Sequence, residues 1–313
     1  MLNDISSGEL AREIEKRVGL IPTSLDESGR KVVWLDVGRF HFYQGFFDDA
    51  LRVCGALGHT ELEGFVSRLE DLPRVDQCVD SIPPSAFIFH GGRCGSTLLS
   101  KVLARSRDHV VFSEAAPHNQ IWNLLPPDSG MACDLYRRLI LNMGRRRLPS
   151  YGAHIIKLTS FNVLQASFIR NAFPGVPALF VFRHPAAMLD SYQRGPPKWL
   201  GSKHPLVEGF ETPESAVEAF FAAALAIRSD DFQYLDYDLI NPQSLPGILR
   251  YLRLNPPPAE MPLMLNEFSW NSKSGLCPAP FAPKEPTLPV NVPLALDELY
   301  QELNARSFDP ARY

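Results

Sequence analysis

The run Ala86-Phe87-Ile88-Phe89, followed at once by His90-Gly91-Gly92-Arg93-Cys94-Gly95-Ser96-Thr97-Leu98-Leu99, constrains this chain more than any other segment. An unbroken apolar stretch reads as a strand buried on both faces, and such strands belong to sheets covered by helices. The glycines that follow let the backbone curl so that successive N–H groups point into one concavity. The helix expected over Thr97–Ser106 adds the partial positive charge of its N-terminus. Strand, glycine turn and helix start, in that order, suit an anion, and Ser96 and Thr97 can donate hydrogen bonds to the same oxygens.

The alternation continues downstream. His109–Phe112, His154–Lys157 and Pro177–Phe182 read as further strands, and a helix begins near Pro185. The fold class predicted is α/β: a P-loop-type parallel sheet flanked by helices on both faces, with ligands at the carboxyl ends of its strands. The apolar stretch Ala216–Ile227 sits behind a cap, Thr212-Pro213-Glu214, and is too short to span a bilayer, so it reads as a core helix. The turn-rich segment Asp80–Ser85 marks a boundary, giving a small N-terminal α/β appendage over 1–82 and a catalytic domain over 83–313. The appendage reads as a polar helix with Leu10, Ile14 and Val18 on one face, a strand over Lys31–Val37, an aromatic segment Phe40–Phe47 and two helical stretches. Its aromatic residues, Trp34, Phe40, Phe42, Tyr43, Phe46 and Phe47, suit a small-domain core, a surface for a substrate or carrier, or a homodimer contact. The proline-rich tail Pro278–Pro293 is not expected to be regular.

Bulk properties narrow the function. Over 313 residues the formal net charge is -4 and charged residues make up 21%, so neither nucleic acid nor a polybasic membrane contact is expected, and any anion site is local. The five cysteines, Cys54, Cys78, Cys94, Cys133 and Cys277, form no CxxC pair and are odd in number, against a disulfide scaffold or a zinc ribbon. Residues Met1–Gly19 lack the basic-then-apolar order of a signal peptide, and a cytoplasmic protein without a bound metal is expected.

A Walker A loop ending at Gly95 would need glycine in place of His90 and lysine in place of Ser96. Here the cation stands inside the loop, at Arg93. That displacement resembles the 5'-phosphosulfate loop of PAPS-dependent sulfotransferases, Pro-[Arg/Lys]-Ser-Gly-[Ser/Thr]-Thr, with Gly92 in place of the proline and Cys94 in place of the serine. A second segment, Arg183-His184-Pro185-Ala186-Ala187-Met188-Leu189-Asp190-Ser191, resembles the same family's 3'-phosphate motif, an arginine and a serine eight apart across a strand end and a helix. The resemblance spans roughly residues 84 to 275. Within the family, tyrosylprotein sulfotransferases look nearest through His109-Val110-Val111-Phe112-Ser113-Glu114 and Ile156-Lys157-Leu158, a likeness of catalytic layout that does not name the acceptor.

The resemblance implies sulfuryl transfer from PAPS, with PAP as product and no metal, onto a hydroxyl or amine of a small molecule or peptide. It implies a donor site of Gly92, Arg93, Cys94, Gly95, Ser96 and Thr97 on the 5' side, and Arg183 and Ser191 on the 3'-phosphate. Tyr237, in a shortened Tyr-Glu-Asp-Leu-like segment, falls where the family contacts adenine, and Lys273 where a basic glycine loop closes. Arg93 would neutralise the leaving phosphate. Glu114 is the expected general base, its pKa raised by partial burial, with His118 as rival. Lys157 either assists the leaving group or is an exposed strand-end lysine. Arg145-Arg146-Arg147 reads as a solvated face or a contact for an acidic acceptor, and the Gly195–His204 loop with Trp199 as an acceptor lid or as packing. Two other readings remain: a small-molecule kinase with a degenerate phosphate loop, and a PAPS-binding protein without catalysis.

Overall fold

Side chains of the central strands alternate between two apolar faces, and each face has its own helices. The computed structural model describes all residues except 1, 27–29, 59–62, 76–78, 124–129, 273–278 and 281–290. In chain order the elements are β1 (Asn3–Asp4), α1 (Ser7–Lys16), β2 (Leu20–Leu25), β3 (Lys31–Asp36), α2 (Phe47–Gly58), β4 (Gly64–Arg68) and α3 (Leu72–Val75). There follow β5 (Pro84–His90), α4 (Ser96–Ala104), β6 (His109–Ser113), α5 (Ala116–Gln120), α6 (Gly130–Met143), β7 (Ala153–Lys157), α7 (Ala166–Ala172) and β8 (Ala178–Phe182). The chain continues with α8 (Pro185–Gln193), α9 (Pro213–Leu225), β9 (Phe232–Asp236), α10 (Leu245–Tyr251), α11 (Met261–Asn266) and α12 (Leu294–Ala305).

The larger sheet is five-stranded, in the order β6-β7-β5-β8-β9, and every pairing is parallel. Ala86, Ile88, Val111, Ile155, Leu179 and Val181 face α4 and α10 in one buried cluster. Phe87, Phe89, Phe112, Ile156, Phe180 and Phe182 face the other way, into a cluster with α6, α7, α9 and α12. Burying each of these large side chains contributes about 1.5–3 kcal/mol, which explains why the strands read as continuous apolar runs. Neighbouring strands β5 and β8 send their connections in opposite directions, β5 towards β6 and β8 towards β9. The crevice at their carboxyl ends is where such a sheet collects ligands.

Residues before β5 form a second sheet, β1-β4-β3-β2, antiparallel across β2, β3 and β4. It contains two full strands, β2 and β4, beyond the one expected at 31–37. Pro22 sits in β2 beside a register shift at Pro22/Ser24, which disguises that strand in sequence. The strand β9 likewise lies beyond the strands expected from sequence. The second sheet shares an apolar cluster with the first: Trp34, Phe42 and Phe47 lie in it with Phe112, and Phe42 and Phe47 each approach the Phe112 ring at 5.3 Å.

Here two of the three residues of the basic run, Arg145 and Arg147, turn inward, while Arg146 stays half-exposed beside Asp80. Arg145 and Arg147 are 7% and 1% exposed. Arg145 donates to the carbonyls of Arg17 and Leu20 at 2.6 and 3.3 Å and to that of Ile14. Arg147 donates to the Phe40 carbonyl at 2.6 Å and lies 4.5 Å above the Phe42 ring. The guanidinium fork meets several carbonyls at once, a task for which it is shaped. Among the described residues, no helix is long and apolar enough to cross a membrane.

Candidate active site

The polar ends of β5, β6, β7 and β8 converge. At β5 the chain leaves the sheet through His90 and turns at Gly92 and Gly95, whose φ angles are 84° and 82°. A side chain at either position would collide: a Cβ on Gly92 would lie 2.0 Å from Tyr192 Oη, and one on Gly95 2.5 Å from Tyr237 Cδ2. Arg93, between them, is itself left-handed at φ 53°, a conformation that costs a non-glycine residue about 1–3 kcal/mol. Glu114, after β6, has the same φ of 53°. Among the described residues, the amides of Arg93, Cys94, Gly95 and Thr97 have no hydrogen-bond acceptor, so the loop presents them with the α4 N-terminus as an anion cradle.

The Arg93 guanidinium lies over the Tyr192 ring at 5.4 Å and donates to the Gly195 carbonyl, which ties the start of the 195–204 loop to the cradle. Further along that loop Trp199 packs edge-on against Phe220 and Phe161, at 5.6 and 6.3 Å, so its ring is packing. Ser96 and Thr97 are buried in the first turn of α4.

The Lys157 ammonium, at the end of β7, is completely buried, which removes the reading of an exposed strand-end lysine. It pairs with Glu114 and lies 3.4 Å from Thr97 Oγ1 and 5.2 Å from the Phe46 ring centroid. The Glu114 amide donates to the Lys157 carbonyl at 2.7 Å, so the two strand ends are locked in register. Burial pushes the Glu114 carboxyl up, but the Lys157 charge and the His90 contact outweigh it and hold the group at about 2. The expected upward shift is therefore reversed: the carboxylate is ionised at neutral pH and weakly basic while Lys157 stays on it.

In sequence His90 stands out only as a departure from Walker A. In the fold it is a hub: Nδ1 accepts the Gly92 N–H at 3.0 Å, Nε2 lies 2.9 Å from the Leu158 carbonyl, and the same nitrogen is 3.6 Å from Glu114. Nδ1 as acceptor assigns the proton to Nε2, and burial lowers the ring's pKa, so it is a neutral donor.

One expected member falls away and another contributes its backbone alone. His118 is 1% exposed, has Nδ1 3.1 Å from the Tyr136 hydroxyl, and burial lowers its pKa to about 3. Its ring lies in the core behind α5, which removes it as a rival base. The Cys94 thiol points into the sheet, donating to the Val181 carbonyl at 3.1 Å, and burial raises it to about 11. Only its amide faces the cradle. Lys273 lies outside the described residues.

On the far side of the crevice, Arg183 stacks on Tyr237 with 4.2 Å between guanidinium carbon and ring centroid. Among the described residues it makes no hydrogen bond or ion pair. Asp236 caps the short turn that carries Tyr237, accepting from the Asp238 amide at 2.9 Å. Tyr237 thus touches both Gly95 and Arg183, joining the loop after β5 to the loop after β8. Ser191 is half-buried on α8, next to the Tyr192 that closes on Gly92. No described group of three or more His, Cys, Asp or Glu residues is placed to hold a metal.

No protein-family model matches the chain, and no curated protein matches it. Among solved structures it is remotely similar to a "Sulfotransferase Domain from the Curacin Biosynthetic Pathway", at 16% identity and a TM-score of 0.45, over 72% of this chain and 99% of that one. It is also similar to mouse sulfotransferase SULT7A1 complexed with PAP, at 15% identity and a TM-score of 0.32, over 77% and 82%.

Proposed function

We propose that this chain transfers a sulfuryl group from PAPS to a hydroxyl or amine acceptor, a small molecule or a peptide, in a reducing cytoplasmic setting. The observation that supports this reading best is the pair of cations Arg93 and Arg183, set on the two loops that flank the β5/β8 crevice and linked through Tyr237. A donor with phosphates at both ends of a nucleoside fits such a pair. The 5'-phosphosulfate occupies the amides of Arg93, Cys94, Gly95 and Thr97, with Ser96 and Thr97 hydroxyls beside them. Arg183 and Ser191 receive the 3'-phosphate, and adenine lies near Tyr237.

The acceptor heteroatom attacks sulfur while the bond from sulfur to the bridging oxygen breaks, leaving that electron pair on the phosphate of PAP. Positioning and charge stabilisation supply most of the rate in such a transfer. Arg93 and Lys157 neutralise the leaving oxygen. Glu114 takes the acceptor proton. Its low basicity beside Lys157 gives an order to the events: donor binding draws the ammonium towards the bridging oxygen, and Glu114 becomes a better base as Lys157 leaves it.

The deciding measurement is isothermal titration with PAP beside ADP. Micromolar PAP binding that needs no magnesium, exceeds ADP binding and falls about 10- to 100-fold in Arg183→Ala is the expected result. Tighter binding of ADP with magnesium would replace this reading with phosphoryl transfer, and PAP binding without PAPS turnover would leave a binding protein.

A further inference from the structure

We infer that Gly45 and Phe46 of the N-terminal unit form a wall of the transfer site, with the Phe46 ring as the positioning group that covers the Lys157 ammonium. The inference rests on the sulfuryl-transfer reading for its chemistry, though its geometry stands apart from it. Lys157 comes from β7 in the larger sheet, yet its ammonium faces a ring from the segment just before α2. Its neighbours are Glu114 from β6, Thr97 from α4, His90 from β5 and Phe46. Of these four described neighbours, three come from the strand ends and first helix of the larger sheet, and Phe46 comes from the N-terminal unit.

The cover is keyed to the phosphate cradle by Gly45. A Cβ there would stand 2.9 Å from Thr97 Cγ2 and 3.3 Å from the Ser272 carbonyl, so the backbone passes close over the first turn of α4. Tyr43, two residues earlier, lies under the Arg105 guanidinium at 5.7 Å, and Arg147 grips the Phe40 carbonyl. The segment is therefore anchored on both the helix that binds the anion and the buried arginine run. It contributes a π face, which attracts a cation without hydrogen-bonding it away from its partners. It also keeps water from Lys157, whose exposure is 0%.

The consequence concerns which nucleophile reaches sulfur. With the wall in place, the acceptor takes the sulfuryl group. With it removed, water attacks sulfur, the bond to the bridging oxygen breaks, and PAP and sulfate form, the water's protons passing to Glu114 and solvent.

Two readouts test this, one independent of activity. Brief acylation with an amine-reactive ester, read by peptide mass spectrometry, should modify Lys16 and Lys31, whose side chains are 67% and 43% exposed, and spare Lys157. Phe46→Ala should raise Lys157 labelling about ten-fold or more and raise acceptor-independent PAP release relative to transfer about 3- to 10-fold. Phe46→Leu fills the space without a π face, and should keep Lys157 protected while lowering transfer about 3- to 30-fold. Phe46→Tyr should recover most of that loss. Wild-type labelling and wild-type transfer in both Ala and Leu variants would overturn the inference. If Phe46→Ala fails to fold, the Leu and Tyr pair decides. Failure of the wild type to bind PAP would sink the sulfotransferase reading alone, because the labelling comparison still reports on the wall.

Discussion

Deleting Lys157 leaves the Glu114 carboxyl with burial opposed only by His90, so its pKa must rise from about 2. In Lys157→Met the acid limb of the kcat/KM profile should therefore move to higher pH, with a loss of about 3–5 kcal/mol in stability from breaking a buried pair. The sign for folding follows from the same shift. A depressed carboxyl stabilises the fold fully above its ordinary value of 4.5, and that contribution is lost as pH falls towards about 2. The Tm gap between wild type and Glu114→Gln should be widest above pH 4.5 and close on acidification, as thermal melts across that range would show; a constant gap would contradict the pairing. Both residues were legible as polar groups at predicted strand ends. The direction of the Glu114 shift was not, because it depends on whether a cation lies within contact, which spacing along the chain does not encode. His90 was hidden for a related reason: a histidine ending an apolar strand gives no sign of which carbonyl its far nitrogen will meet.

Among the elements, the β5–α4 unit was readable almost to its boundaries, since a doubly buried strand, a glycine turn and a helix start each leave a local mark. Its tightness can be tested. Gly92→Ala places a methyl on Tyr192 Oη at a φ of 84°, and should cost about 1–3 kcal/mol in stability while weakening PAP binding at least several-fold. A variant with both wild-type Tm and wild-type affinity would show that the loop yields easily. Strands β2, β4 and β9 escaped the pattern. In β2 a proline and a bulge interrupt the alternation, and β4 has only five residues, starting with Gly64. Such segments become strands through pairing partners distant in sequence.

For the molecule as a whole, Arg145 and Arg147 bear on how the two sheets stay together. Arg147→Ala removes a hydrogen bond to Phe40 and the cation over Phe42 from a fully buried position, and should lower stability by roughly 2–4 kcal/mol. Limited proteolysis of that variant should cut first within residues 1–82; unchanged digestion and melting would show that the shared apolar cluster suffices. By itself the sequence determined the parallel α/β class, the glycine turn between strand and helix with its internal arginine, and the second arginine beyond the fourth apolar run. These are local signals, written in side-chain periodicity and backbone permission within a dozen residues. Tertiary structure alone decided that Lys157 is buried against Glu114, that the Cys94 thiol and the His118 ring turn away, that Arg145 and Arg147 are buried, and that Phe46 lies against Lys157. Each of these depends on contacts between segments far apart in sequence, where burial and the nearest charge set the chemistry.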